Sequence, residues 1–298
     1  MTETETEQRI HHRTVTVEGH EIFYREAGPA DAPVLLLLHG FPTSSYMFRD
    51  LIPRLADRYR VIAPDHLGFG HSATPPAKDF PYTFAELAAL TAKFTTHLNL
   101  TRFALYIQDY GAPIGLRLAL THPERITAII TQNGNAYTEG LGAEAWAPVR
   151  ALIANRTPET EAAVSEISTL DGIKWQYTNG VPPEYTRLLN PDAWHHDAAL
   201  MAREGQREIQ LDLIADYGAN FELYPAFQEY FRTSQIPLLA TWGRHDEVFI
   251  PAGAEAFRRD LPKAEIHLLP TGHFALETHA PEIATLIRDF LARNITKP

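Results

Sequence analysis

Between Phe103 and Gly115 the chain reads Phe-Ala-Leu-Tyr-Ile-Gln-Asp-Tyr-Gly-Ala-Pro-Ile-Gly, an apolar run that breaks at Asp109 and resumes as a helical pattern through Leu116, Leu118 and Leu120. The pattern predicts a strand, a tight turn and a buried helix, with Asp109 at the apex. A carboxylate at such an apex is lifted clear of the sheet edge, with the Tyr110 amide and the positive end of the helix beside it. By itself an aspartate before a helix is most often an N-cap. The rest of the chain decides between the two readings.

Around this stretch, strand-like and helical segments alternate. Thr14–Val17 and Glu21–Tyr24 alternate in polarity about Glu18-Gly19, as a β-hairpin does, after a lead over residues 1–12 that reads as disordered. Pro33–Leu38 is apolar without alternation, which marks a strand covered on both faces, and it ends in His39-Gly40-Phe41-Pro42. A turn of this kind can aim backbone N–H groups at a ligand; it can equally be a plain strand-to-helix turn. Arg60–Ala63 is the next strand, followed by Asp65-x-x-Gly-x-Gly-x-Ser72, a loop read as structural, since its Asp and Ser can bond its own amides. A helix over 84–98, the Asp109 unit and a strand over 125–130 complete a rhythm that predicts a parallel sheet with helices on both faces. From Asn135 to Thr233 the rhythm gives way to helical, aromatic-rich sequence broken by Pro148, Pro158, Pro182-Pro183 and Pro191. Strands return at Ile236–Trp242, ending in Gly243-Arg-His-Asp246, and at Ala264–Leu269, ending in Pro270-Thr-Gly-His273, before a closing helix over 280–291. The expected organisation is an α/β core, residues 1–134 and 234–298, carrying a helical cap, residues 135–233. Most of the cap aromatics read as its own core; a few are placed to line a pocket between cap and sheet.

Composition narrows the function classes. The 298 residues carry a formal charge of −11 without a Lys/Arg cluster, which argues against nucleic acid or anionic membranes as partners. There is no cysteine, so disulfide and thiolate chemistry are excluded. The acidic, polar start and the lack of a long apolar run lead to the expectation of a cytoplasmic protein. The pairs His11-His12 and His195-His196 are adjacent rather than one helical turn apart, so no metal is expected, nor any other cofactor. A homodimer is compatible with this reading.

A parallel sheet places the loops that follow its strands at one edge. Asp109, Asp246 and His273 fall on three such loops, in the chain order nucleophile, acid, histidine. An aspartate is already ionised, with a pKa of ~3.9, so the histidine is free for another task. A carboxylate that attacks saturated carbon forms an alkyl ester that water can cleave, whereas serine would leave an ether. The residues therefore suit carbon–halogen or epoxide C–O cleavage: Asp109 attacks, His273 oriented by Asp246 activates water, and the N–H groups of Phe41 and Tyr110 hold the oxyanion.

His39-Gly-Phe-Pro42, Asp65-x-x-Gly-x-Gly-x-Ser72, Gln108-Asp-Tyr-Gly-Ala-Pro113, Gly243-x-x-Asp246 and Gly272-His273 together resemble the epoxide hydrolase and haloalkane dehalogenase branch of the α/β-hydrolase superfamily, over residues 14–295. The resemblance implies an α/β-hydrolase fold with an inserted cap and a small apolar organic substrate. It also implies Asp109, Asp246 and His273 as triad, Phe41 and Tyr110 as oxyanion hole, and a cis bond before Pro42. There are departures. Haloalkane dehalogenases usually carry Asn or Glu at position 41 and Trp after the nucleophile; here these are Phe41 and Tyr110. Fluoroacetate dehalogenases carry arginines where Ala112 and Pro113 stand. Epoxide hydrolases use two cap tyrosines; Tyr217 matches the second in context, and Tyr177 is the candidate for the first. They also usually have Trp after the nucleophile and Gly two before it, positions held here by Tyr110 and Ile107. With His39 and Trp175, these tyrosines form the expected substrate-binding set, and Trp175 and Trp194 are the candidate halide donors. The readings that follow are epoxide hydrolysis first, dehalogenation second, and, from another class, a non-catalytic binding protein on the same scaffold.

Overall fold

The computed structural model describes residues 9–295. Its strands are β1 (His11–Val17), β2 (His20–Ala27), β3 (Val34–Leu38), β4 (Arg60–Pro64), β5 (Phe103–Gln108), β6 (Ile126–Gln132), β7 (Leu238–Gly243) and β8 (Glu265–Leu269). They form one sheet in the order β1-β2-β4-β3-β5-β6-β7-β8. The pairs β1–β2 and β2–β4 are antiparallel and the rest parallel. The apolar runs Leu35–Leu38 of β3 and Phe103–Ile107 of β5 are fully buried, as strands covered on both faces must be. The first strand starts earlier than the sequence pattern suggests. His11 and His12 pair with Glu26 and Arg25, so backbone pairing recruits residues whose exposed side chains give no apolar alternation. The remainder of the expected lead, residues 1–8, lies outside the described residues.

Ahead of the main helices, the short α1 (Ile52–Leu55) follows β3. Helix α2 (Phe84–His97) starts at Thr83, whose hydroxyl accepts from the Glu86 amide at 3.1 Å. Helix α3 (Gly111–Thr121) packs on α2 and across β3 and β5. Between β6 and β7 run α4 (Ala143–Ala154), α5 (Pro158–Ser165), α6 (Leu170–Thr178), α7 (Pro191–Met201), α8 (Gln206–Asp216) and α9 (Gly218–Ser234), with no strand among them. The chain ends in α10 (Pro251–Asp260) and α11 (Ala275–Asn294), the latter kinked at His279. Pro158 and Pro191 stand in the first turns of α5 and α7, where a missing N–H costs nothing, and Pro182-Pro183 lie in the connection before α7. Pro148, in contrast, does not break its helix. It lies inside α4, where the carbonyl it leaves free belongs to exposed Glu144 in the first turn. The inserted helices are tied down by specific bonds: Asp216 accepts the Phe84 amide at 2.7 Å, Arg117 donates to Asn220 at 2.6 Å, and the Trp146 indole donates to the Val248 carbonyl at 2.9 Å. No helix among the described residues is long and apolar enough to cross a membrane.

Register decides what meets at the sheet edge. Leu38 lies opposite Ile107 and Gln108 opposite Gln132, so the turns after β3, β5 and β6 emerge side by side, while Gly243 lies opposite Leu269. The approach is close enough that a Cβ at Gly111 would collide with the Leu38 carbonyl oxygen. Gly111→Ala must therefore push α3 off β3. It is expected to lower stability by about 1–3 kcal/mol, the usual cost of overpacking, measured as a fall in the urea midpoint; an unchanged midpoint would show that the contact yields freely.

Candidate active site

Asp109 follows the last residue of β5 and adopts a left-handed backbone conformation, φ 47°, an unfavourable one for a residue with a Cβ. The turn is held by what it permits. The Asp109 Oδ1 accepts two backbone hydrogen bonds, from the N–H of Phe41 and that of Tyr110, each 2.6 Å. Gly40 makes room for this, because a Cβ there would strike the Asp109 side chain. The peptide between Phe41 and Pro42 is cis. The second oxygen, Oδ2, faces His273, with Nε2 3.9 Å away.

His273 is anchored from the other side. Its Nδ1 is 2.8 Å from Asp246 Oδ2. Asp246 in turn accepts from the Asn133 side-chain amide at 2.7 Å and, on Oδ1, from the Val248 N–H at 2.8 Å. A carboxylate with three donors is fixed in place and orients the imidazole with Nε2 toward Asp109. All three side chains are buried. Burial raises the Asp109 carboxyl above the usual carboxylate range, opposed by His273 and by the two N–H bonds. Burial alone would depress His273. The charge of Asp246, the hydrogen bond that Nδ1–H donates to it and the charge of Asp109 outweigh that and leave the imidazole above its ordinary value.

Three further polar side chains complete the arrangement, and none was singled out from the sequence. The Gln108 side-chain nitrogen is 2.9 Å from His273 Nε2. Gln132 donates to the His273 carbonyl at 2.8 Å and accepts from the Tyr106 hydroxyl at 3.0 Å. Asn133, another left-handed residue, accepts from the Gly243 N–H at 3.0 Å while donating to Asp246. The available signal was modest: amides at the ends of strands that are otherwise apolar, where a buried polar group needs a partner.

Above Asp109 lies a cavity of about 280 Å³, walled chiefly by apolar side chains of the inserted helices and by Phe41, Tyr110, Val248 and Phe249. Tyr217, at the junction of α8 and α9, lines it, and its buried hydroxyl lies beside that of Tyr224, too poorly aligned for a good hydrogen bond, with no other partner among the described residues. Trp175 lines it too, 43% exposed, and so does Trp146, whose N–H is already given to Val248. No lysine or arginine is among the lining residues.

Two expected substrate-binding residues are elsewhere. Tyr177 is buried against Phe274, ring centres 4.1 Å apart, and donates its hydroxyl to Asp197 at 2.6 Å. Its helix, α6, turns that side chain into the packing and leaves neighbouring Trp175 on the cavity. His39 lies fully buried off the cavity, with Nε2 accepting the His66 N–H at 3.0 Å. Burial pulls its pKa down to about 4, so it is a neutral structural acceptor. Trp194 packs near Tyr177, 6.0 Å between rings, and does not reach the cavity.

Comparison with known proteins agrees with this geometry. A family model described as the alpha/beta hydrolase fold matches residues 33–280. An uncharacterized hydrolase of Saccharomyces cerevisiae is 45% identical over 286 residues, covering 95% of this chain and 97% of the yeast protein. Haloalkane dehalogenase 2 of Mycobacterium bovis is 30% identical over 228 residues, 74% of this chain and 73% of its own. Among solved structures, an epoxide hydrolase of Vigna radiata superposes with a TM-score of 0.74 at 25% identity, covering 98% of this chain and 100% of that one. The chain belongs to the α/β-hydrolase family, within the branch that holds epoxide hydrolases and haloalkane dehalogenases, and is a hydrolase.

Proposed function

We propose that this hydrolase opens epoxides of small, uncharged, largely apolar molecules to vicinal diols through an ester on Asp109. The observation that supports the choice is Tyr217, a tyrosine lining the cavity that Asp109 also lines, whose buried hydroxyl lies beside that of Tyr224 and makes no other hydrogen bond among the described residues. Opening an epoxide creates an alkoxide that needs a proton; a departing halide needs N–H donors instead. Phe41 and Tyr110 carry no side-chain N–H, and that of Trp146 is spent on Val248. Burial, then Tyr224 and Asp109, raise Tyr217 well above the ordinary tyrosine value, so it holds its proton until the alkoxide appears. A cavity without lysine or arginine offers no partner for a substrate carboxylate, which argues against haloacids.

In this reading Oδ2 of Asp109 attacks a ring carbon, the C–O bond breaks, and the leaving oxygen takes the Tyr217 proton. Oδ1 becomes the carbonyl oxygen of the ester and stays between the Phe41 and Tyr110 N–H groups. His273 then takes a proton from water as that water attacks the Asp109 carbonyl carbon. The tetrahedral oxyanion sits in the same pair of N–H groups, and its collapse breaks the ester. The leaving diol oxygen takes the proton held by His273, and the second proton of the water passes from Asp109 to the Tyr217 phenolate, so the diol leaves and the resting state returns. The helices between β6 and β7 act as the lid, excluding bulk water from the ester. Dehalogenation is the second reading. It uses the same attack and is favoured by Trp175, a cavity-lining indole that donates to no described residue, and by the 30% identity to a haloalkane dehalogenase. A panel of epoxides and haloalkanes, followed by diol and halide release, separates the two.

Three outcomes are expected with a substrate so identified. His273→Gln retains the attacking carboxylate and loses the base, so mass spectrometry should show a covalent gain on the peptide carrying Asp109, absent from Asp109→Asn. An unmodified His273→Gln protein would remove the two-step reading and leave a binding protein or a direct hydrolase. Tyr217→Phe should slow epoxide opening by about 10²-fold or more, the usual weight of a general acid, and leave any haloalkane turnover nearly intact; equal effects on both would assign Tyr217 to packing. The third outcome concerns pH. Attack needs Asp109 ionised, and ester hydrolysis needs His273 neutral. Since His273 stands above ordinary histidine, lowering the pH should slow hydrolysis first. Rapid quenching of wild type at mildly acid pH should then show ester accumulating before Asp109 protonation halts attack. No ester at any pH would mean that attack is the slower step.

A further inference from the structure

Neighbouring residues of a strand face opposite sides of the sheet, and β2 shows a sharp difference between its two faces. Glu26 is paired with Arg13 at 2.7 Å and with Arg60 at 2.8 Å. Arg25, only 8% exposed, forms no ion pair among the described residues, and its Nε is covered and without a partner. Its guanidinium instead closes a circuit of side chains. The Arg25 Cζ lies 5.3 Å from the ring centre of Phe23 and 5.8 Å from that of Tyr46. Tyr46 is 4.7 Å from the ring of His196, His196 is 5.8 Å from His71, and His71 is 5.1 Å from Phe23. His196 Nε2 is a second covered nitrogen without a partner.

Arg25 carries the charge of this cluster, since burial holds His196 and His12 below the ordinary histidine value. His12 stacks on Phe23, and Arg49 lies over Tyr46 but is bound to Glu277 at 2.6 Å. Asp65 is the carboxylate acting on Arg25, His196 and Arg203, and its two oxygens are taken by the N–H groups of Ser45 and His71, each 2.7 Å. In a chain of net charge −11, a desolvated guanidinium lacking a carboxylate partner stands out, because a buried charge normally needs one. An oxyanion accepts several charge-assisted hydrogen bonds at once, and arginine with histidine is a donor set suited to it.

We propose that this circuit binds a small oxyanion of the phosphate class, held between Arg25 on β2 and His196 on α7, with His71 and His12 at the rim. It is distinct from the cavity over Asp109, whose lining includes none of these residues. Since Arg25 belongs to the sheet and His196 to the inserted helices, the bound anion also ties α7 to the sheet.

The test uses the full chain and inorganic phosphate, titrated by calorimetry and by thermal melting against sodium chloride of equal ionic strength. Saturable phosphate binding with a rise in Tm that chloride does not give is expected. Arg25→Gln and His196→Asn should each lose at least about tenfold in affinity, as expected when a hydrogen bond to a charged group is lost. If Arg25→Gln does not fold, His196→Asn and His71→Asn, at half-buried and exposed positions, carry the comparison. Absence of saturable binding to wild type, or affinity unchanged in the folded variants, would overturn the site.

Discussion

One arrangement on which the site depends is the seating of a carboxylate oxygen between two backbone N–H groups. Asp109 Oδ1 receives Phe41 and Tyr110 at 2.6 Å each, and these donors come from different elements, the turn after β3 and the start of α3. The seat therefore exists only if the two elements are in register and in close contact. Gly40 and Gly111 allow that contact, since a Cβ at either would strike Asp109 or Leu38. The left-handed backbone at Asp109 costs about 1–3 kcal/mol, which the packing of β3, β5 and α3 must offset. The same pair of donors that holds the resting carboxylate would later hold an oxyanion, so no reorganisation is needed between the two steps.

The second oxygen and His273 carry the division of labour. At 3.9 Å, Oδ2 and Nε2 are too far apart for a hydrogen bond. Asp109 is therefore a carboxylate near an imidazole rather than a group whose proton the imidazole removes. The imidazole is held by Asp246, itself fixed by Asn133 and Val248. In the mechanism proposed, attack on carbon would remove the Asp109 charge, and with it one of the influences that raise the His273 pKa. The base thus becomes easier to deprotonate at the stage that needs it.

Much of this was legible in the chain. The strand–turn–helix at Asp109 and the strand ends carrying Asp246 and His273 follow from apolar runs that stop at Gly, Pro and Asp, and a parallel sheet must bring such ends together. The side chains of the inserted helices were less legible. Tyr177 and Tyr217 look alike in the sequence, but one is turned onto Phe274 and Asp197 and the other onto the cavity; that choice is made by how the helices pack on the sheet. His39, two residues from the Phe41 N–H that binds Asp109, accepts a backbone N–H of His66 instead of reaching the cavity. Gln108, Gln132 and Asn133 were missed because an amide at a strand end has no pattern of its own, and only the three-dimensional neighbours give it a task. The start of β1 has no signature in polarity because pairing with β2 decides it.

Oxygen bookkeeping in a single turnover tests the central claim most directly. With wild-type enzyme in excess over epoxide in ¹⁸O-labelled water, the first diol formed should carry an unlabelled oxygen donated by Asp109, and the label should appear in the Asp109 carboxylate, read by mass spectrometry of its peptide. Label in the first diol with an unlabelled Asp109 would mean that water attacks the epoxide directly and that Asp109 is not the nucleophile.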